Sequence, residues 1–499
     1  MPAPTPPQAD LIIIGGGASG TALVRALAAS RQAGAPALRV ALVERTASLG
    51  PGLPYTETAD AFHTMGRTAT LRRDKGLQLE RRFTAAAARL RETGAVLDLH
   101  TTTEATALRR DGDGWEVDVA GGPLKAPRVV IATGHWHVAR LAHLRRWVDW
   151  RWDVRALHAA ISDQEDVVVL GMGQSGLDAA LSLAERRRHL PRPGRIQLVS
   201  RTGLLPSVFG QVATASAPLA TRNLESLLRS SNVRLTDIVA AVRADTLAVA
   251  GPRARLPDWD LPAVRAHAAT ADPLRLFREE LAAAQASRVA REEIPWHPVL
   301  WHGMHFFHPL MARLSAEDRL LLADWWTPVM RHLEAIHVGA ASRLLELIDA
   351  GRISLTGLGD SLSLGEDSTE VWVRGPRGEA RGQRLLDTRG PDPRLALCDD
   401  RFLHSVLATG AAAAGRAPFV EGPAPRSVPD GWSVEHRGGA DWLITGGLWV
   451  DPETFAVRDA ERRSHGLYTL GPLTLGQFPF YAGLWATGRA AERIVASLD

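Results

Sequence analysis

A single cysteine, Cys398, stands in 499 residues, so an internal disulfide, a Cys-x-x-Cys redox pair and a thiolate zinc cluster are all excluded within one chain. Lysine is almost as scarce: Lys75 and Lys125 are the only two, and arginine carries nearly all of the positive charge. The formal net charge of +3 is small for this length, which argues against nucleic acid as a partner. The opening "MPAPTPPQAD" has no basic segment followed by an apolar one, and no apolar run approaches membrane-spanning length. A soluble, cytoplasmic protein without a membrane partner is the expectation. What remains is ordinary globular material, with 45% hydrophobic residues, enough for one or two substantial cores in two to four domains.

Against that background one pattern appears twice. "DLIIIGGGASGTALVRALAAS" begins at Asp10: an apolar run suited to a strand buried on both faces, then Gly15, Gly17 and Gly20 at G-x-G-x-x-G spacing, then an apolar helix. The first glycine permits a tight turn, the second lets backbone approach a diphosphate, and the third lets the helix pack closely on the strand. Ser19 lies in the same turn, and the helix start presents free N–H groups and a positive dipole end to the anion. A second strand, "RVALVER", brings Glu44 to the place where an acid accepts hydrogen bonds from a ribose.

The relative of this pattern, "DVVVLGMGQSGLDAALSLAE" from Asp166, carries Gly171, Gly173 and Gly176, with Gln174 and Ser175 between them. Its following strand ends in Ser200 and Arg201 instead of an acid. A guanidinium there pairs with a 2′-phosphate that a carboxylate would repel. The first site is thus expected to take an adenosine with a free ribose, and the second to favour NADPH over NADH. A solvated arginine at a strand end is the alternative for Arg201.

Between the copies, Leu90–Gly122 reads as a strand and a hairpin with Asp-Gly turns, and "APRVVIATGHW" as a buried strand closing on Thr133 and Gly134. Both fingerprints with this Ala-Thr-Gly strand between them resemble flavoproteins with two dinucleotide-binding domains. The C-terminal "GLYTLGPLTLGQF" resembles their closing segment. That resemblance implies FAD in the first domain, with Gly471, Pro472 and Thr474 beside the ribityl chain, and Pro472 standing where many relatives carry Asp. "LGPGLPYTETADAFHTMGRTATLR", Leu49 to Arg72, resembles the G-x-G-x-x-Y loop of a bacterial FAD/NAD(P)-binding group that includes amino-acid N-hydroxylating monooxygenases, which adds His63 and Arg67 to the implied FAD contacts. The Baeyer–Villiger fingerprint is absent as a whole, and "LLDTRGPDPRL" occupies the late strand where ornithine and lysine hydroxylases carry "ATGY".

The expected fold is α/β: two Rossmann-like dinucleotide-binding domains, for FAD and NADPH, with a helical insertion. The FAD domain is expected over 1–160 and 380–499, the NAD(P)H domain over 161–208 and 350–379, and the insertion, a lid or substrate domain, over 209–349. Within the insertion "IPWHPVLWHGMHFFHP" offers His297, His302, His305 and His308, without the acids of a usual metal set, so no metal is expected. His302, His305 and Arg313 are the candidates for substrate contact or proton movement, with packing as the alternative; Arg331 is a further candidate carboxylate clamp. Trp147, Trp150 and Trp152 brace the interdomain linker or wall the flavin.

Hydride passing from NADPH to FAD has no dithiol to go to, which makes O2 the natural acceptor and an NADPH-dependent flavin monooxygenase, N-hydroxylating a small amino acid or related amine, the leading expectation. A flavin-dependent reductase serving a protein or quinone, and a redox-sensing flavoprotein, are the alternatives. The expected partners are a small-molecule substrate and O2; the oligomeric state is not readable from the sequence.

Overall fold

The computed structural model describes residues 9–56, 72–149, 153–211, 220–251, 272–390, 392–478 and 483–498. The N-terminal apolar run becomes the strand Leu11–Ile14, buried along its whole length at the centre of a six-stranded sheet. It pairs in parallel with Arg39–Val43 on one side and Arg128–Ile131 on the other. Val96–His100 and Ser464–Thr469 extend the two sides in parallel, and Ala456–Arg458 closes one edge antiparallel. The helices Ala18–Ser30 and Leu484–Ala496 supply residues to the same core. The expected hairpin is present as Ala105–Asp111 with Gly114–Val119, and Trp115 beneath it is fully buried, its indole N–H donating to the His465 carbonyl at 2.9 Å.

The second fingerprint builds a second sheet, all parallel, in the order Ile353–Gly357, Ile196–Ser200, Val167–Leu170, Arg384–Asp387, Trp147–Val148. Two expected boundaries move. Arg384–Asp387 and Trp147–Val148, both assigned from the sequence to the FAD domain, pair into this second sheet. The insertion is also smaller than 209–349. Phe277, Leu281 and Ala284 of the helix Pro273–Ala290, and Ala341, Leu344 and Leu347 of Val338–Asp349, sit in the core of the second sheet and cover it as crossover helices do. A separate helical core gathers residues of Arg222–Leu227, Leu235–Ala250, His297–Met311 and Ala316–Leu333.

The two crossings between the domains are tied together. Trp136 donates from its indole N–H to the Asp392 carbonyl at 2.8 Å, and Arg140 donates to the Gly390 carbonyl at 2.8 Å. His137 reaches Asp149 at 2.8 Å and Asp399 at 3.3 Å while stacking on Trp147. Trp147 therefore braces the linker; Trp150 and Trp152 lie outside the described residues.

The helical unit is fastened to the first domain by Arg319, whose side chain is buried. Its guanidinium donates to the carbonyls of Met311 (3.3 Å) and Ala312 (3.1 Å), at the end of the helix His297–Met311, and to Gly476 at 3.0 Å in the C-terminal segment. Helix ends leave carbonyls without intrahelical partners, and the negative end of the dipole favours a cation, so one side chain serves both needs. Burial lowers its pKa only to about 10, so it remains charged. Arg319→Ala is expected to cost about 2–5 kcal/mol in thermal unfolding, with Arg319→Lys recovering only part because an ammonium lacks the planar fork. An Arg319→Ala chain with the native unfolding temperature would contradict this anchoring.

Candidate functional site

Both glycine turns have the same geometry. Gly15 and Gly171 adopt φ of +107° and +118°, a region open to glycine. A Cβ on Gly20 would lie far closer than 3.0 Å to the Gly15 carbonyl oxygen, and one on Gly176 equally close to that of Gly171. Both helices start on a glycine, Gly17 and Gly173, with no side-chain cap, which leaves their first N–H groups to an outside acceptor. At Gly173 a Cβ would meet nothing within 4 Å, so the space a diphosphate needs is open. At the first turn the loop carrying Gly50 and Gly52 folds over the glycines, with the Gly50 N–H donating to the Gly16 carbonyl at 2.8 Å. The residues present fit two diphosphates.

The remaining FAD-side candidates gather around the first turn. Glu44 accepts from the Gly16 N–H and from the Thr46 N–H, both at 2.8 Å, and from the Thr46 hydroxyl at 2.9 Å, which fixes the carboxylate beside the turn. Ser19 is buried in the first helical turn. Thr133 follows the strand Arg128–Ile131 with a buried hydroxyl that lacks a partner, and Gly134 has φ +79°. An orphaned hydroxyl at a strand end beside Gly15 suits a polar ligand there. Gly471, with φ +72°, Pro472 and Thr474 form a buried 3-10 turn at the end of Ser464–Thr469. Thr474 donates its hydroxyl proton to the Gly471 carbonyl at 2.8 Å, which leaves its oxygen free only to accept. His63 and Arg67 lie outside the described residues.

On the second side the Ser200 hydroxyl accepts from the Gly203 N–H at 2.9 Å, which shapes the strand-end turn. Arg201 is exposed and approaches the still more exposed Asp360 at 4.0 Å. Gln174 uses its amide to donate to the Glu334 carbonyl at 2.8 Å, a contact the sequence does not announce, and Ser175 is the next residue of that first turn. Glu334 caps the helix Ala316–Leu333, so the helical unit touches the second fingerprint itself. Glu334 is exposed, and the protein packed around its carboxyl pushes its pKa up to about 7.

The helix His297–Met311 crosses between the domains, and fifteen residues carry it about 22 Å. At one end His297 packs on Phe209, and its Nδ1 accepts from the Gly210 N–H at 3.4 Å. At the other end His308 stacks on Phe478 at 4.5 Å, and His305 meets Trp485 edge-on at 5.0 Å. Of the three catalytic candidates, His302 and His305 thus lie on the bridging helix. Arg313 serves the fold instead, donating to the Leu228 carbonyl at 2.9 Å, which satisfies the end of a short helix, and approaching Glu453 at 3.8 Å. Arg331 is no carboxylate clamp either, being buried and bidentate to Glu280 at 2.7 Å in both contacts. No group of three or more potential metal ligands occurs among the described residues.

Residues 9–191 match the family described as pyridine nucleotide-disulphide oxidoreductase, and residues 261–332 the YdhS-like middle domain. A curated relative, the mitochondrial electron transfer flavoprotein-ubiquinone oxidoreductase of Caenorhabditis elegans, is 28% identical over 134 residues, which is 27% of this chain and only 22% of that protein's length. Among solved structures, L-lysine 6-monooxygenase from Pseudomonas syringae is similar over 98% of this chain and 99% of its own, with TM-score 0.54 and 12% identity. The ornithine N-hydroxylase of Kutzneria sp. 744 covers 99% of both chains at TM-score 0.48 and 14% identity. Bacillithiol disulfide reductase from Bacillus cereus also covers 99% of both, at TM-score 0.44 and 11% identity. At 12% identity the likeness to L-lysine 6-monooxygenase is one of fold.

Burial lowers the pKa of His297 to about 4 and of His308 to about 3, so both rings are neutral near neutrality. An unfolded histidine takes its proton near 6.5, which the buried rings do only at lower pH. Below about 6.5 the unfolded chain therefore binds more protons than the native one, and stability falls with pH down to the folded values. The unfolding temperature is expected to drop between pH 7 and pH 4, and His308→Leu to flatten that slope. An unchanged slope in the variant would show that His308 is not the buried neutral ring described.

Proposed function

We propose that this chain, an FAD- and NADP(H)-binding oxidoreductase with two dinucleotide-binding domains, is an NADPH-dependent monooxygenase that hydroxylates an amine nitrogen of a small metabolite, an amino acid or a related amine. Bound FAD would take hydride from NADPH and supply the electrons for reduction of O2. The observation that carries the reading is the pairing of two nucleotide turns with a single, buried cysteine: burial raises the pKa of Cys398, and no second thiol exists in the chain to make a disulfide relay.

The chain's own residues have plain roles in this scheme. The helix starts at Gly17 and Gly173 hold the two diphosphates, and Glu44 accepts hydrogen bonds from the first ribose. Arg201 pairs with the 2′-phosphate of NADPH. The aromatic helix His297–Met311 keeps water from the space between the domains, and His297 and His308 on it, uncharged at neutral pH, do not compete with an amine for a counter-charge. The second reading, electron delivery to a quinone or a protein, is favoured by the stretch similar to a ubiquinone oxidoreductase.

The two readings separate in one assay. With a panel of amines under air, monooxygenation consumes NADPH and O2 and forms hydroxylated amine in equal amounts; NADPH oxidation that needs quinone and no O2 would overturn it. Arg201→Gln is expected to raise the KM for NADPH about tenfold and leave that for NADH unchanged.

A further inference from the structure

After the strand Ile353–Gly357 the chain turns into a three-stranded antiparallel sheet, Ser363–Glu366, Val371–Gly375 and Gly378–Gly382. The last two strands form a hairpin in which Gly375 pairs with Gly378, with Pro376 and Arg377 at its tip. That tip is held against the end of Ile196–Ser200, the strand that leads into Arg201. The Arg377 N–H donates to the Leu358 carbonyl at 3.0 Å, the Leu358 N–H to the Ser200 carbonyl at 2.8 Å, and the Gly359 N–H to the Arg201 carbonyl at 2.8 Å. Leu358 is fully buried. Gly359 has φ +82°, a region open chiefly to glycine, and a Cβ on it would stand 3.3 Å from Pro376 Cδ and 3.5 Å from Arg377 Cγ. Arg201 and Arg377 therefore both lie against Gly359.

Both arginines are exposed. The Arg377 guanidinium makes no hydrogen bond or ion pair among the described residues, whereas Arg374 and Arg381 of the same hairpin are paired with Glu379. A phosphate monoester carries about −1.5 to −2 charge near neutrality, more than one guanidinium balances. A second arginine beside the first completes the match with charge-assisted hydrogen bonds. Asp360, near Arg201, has a side chain 90% exposed, so it can turn to solvent as a phosphate takes its place.

We propose that Arg377 is the second guanidinium of the 2′-phosphate site, meeting the phosphate from the hairpin tip while Arg201 holds it from the strand end. The assignment rests on the reading of the second glycine turn as an NADPH site, and not on the fate of the electrons. Its test is a binding measurement without turnover. The FAD-loaded full chain is titrated by calorimetry with 2′,5′-ADP and with 5′-AMP, which differ only in the 2′-phosphate. The native chain is expected to bind 2′,5′-ADP about tenfold more tightly or better. Gln at position 377 keeps the Cγ that lies against Gly359, so the tip stays in place. Arg377→Gln is expected to weaken 2′,5′-ADP about fivefold and to leave 5′-AMP unchanged, with Arg377→Lys recovering part of the loss. Arg374→Gln, on the same hairpin, changes neither affinity. Native affinity for 2′,5′-ADP in Arg377→Gln overturns the assignment, and so does equal weakening of both ligands, because a guanidinium stacked on the adenine serves both. A native chain that binds the two ligands equally overturns the 2′-phosphate reading itself, and this inference with it.

Discussion

The missing Cβ at Gly20 and Gly176 is the constraint on which the architecture rests. Each helix start sits so close on the turn before it that the carbonyl of Gly15 or Gly171 occupies the place of a side chain. That approach sets each helix over its strand and points its uncapped N–H groups at the outer end of a parallel sheet, where open α/β sheets hold their ligands. Built twice in one chain, it gives two anion-binding ends, and the ties between Trp136 and Asp392 and between Arg140 and Gly390 fasten the two crossings that join the domains.

The helical unit is shaped by this frame. It is anchored to the first domain through Arg319 and touches the second fingerprint through Glu334 and Gln174. Its bridging helix carries aromatic rings and the neutral imidazoles of His297 and His308 from Phe209 to Phe478. Desolvation of His297 and His308 is the cost of burying polar rings there, and it keeps charge out of the span between the domains.

Much of this was legible in the chain because short-range pattern carries it. A strand of four apolar residues, three glycines at fixed spacing and an amphipathic helix are local features, and both copies fold as their spacing implies. The domain limits were not legible, since Arg384–Asp387 joins Val167–Leu170 by pairing across more than two hundred residues, which periodicity does not report. Nor does composition separate a helix that covers a sheet, such as Val338–Asp349, from one in an independent bundle. Arginine roles were the least readable: Arg313, Arg319 and Arg331 look alike in sequence, yet each is committed to carbonyls or to Glu280 by the tertiary fold. Glu334 had no sequence signal, because its contact with Gln174 is made by backbone.

The central claim is that the two nucleotide ends serve one electron path. Its most direct measurement is an anaerobic titration of the FAD-loaded chain with NADPH, followed by the visible absorbance of the flavin. One equivalent of NADPH bleaching one flavin is the result expected of adjoining sites. A chain that retains no flavin, or whose flavin stays oxidised under excess NADPH, would contradict it.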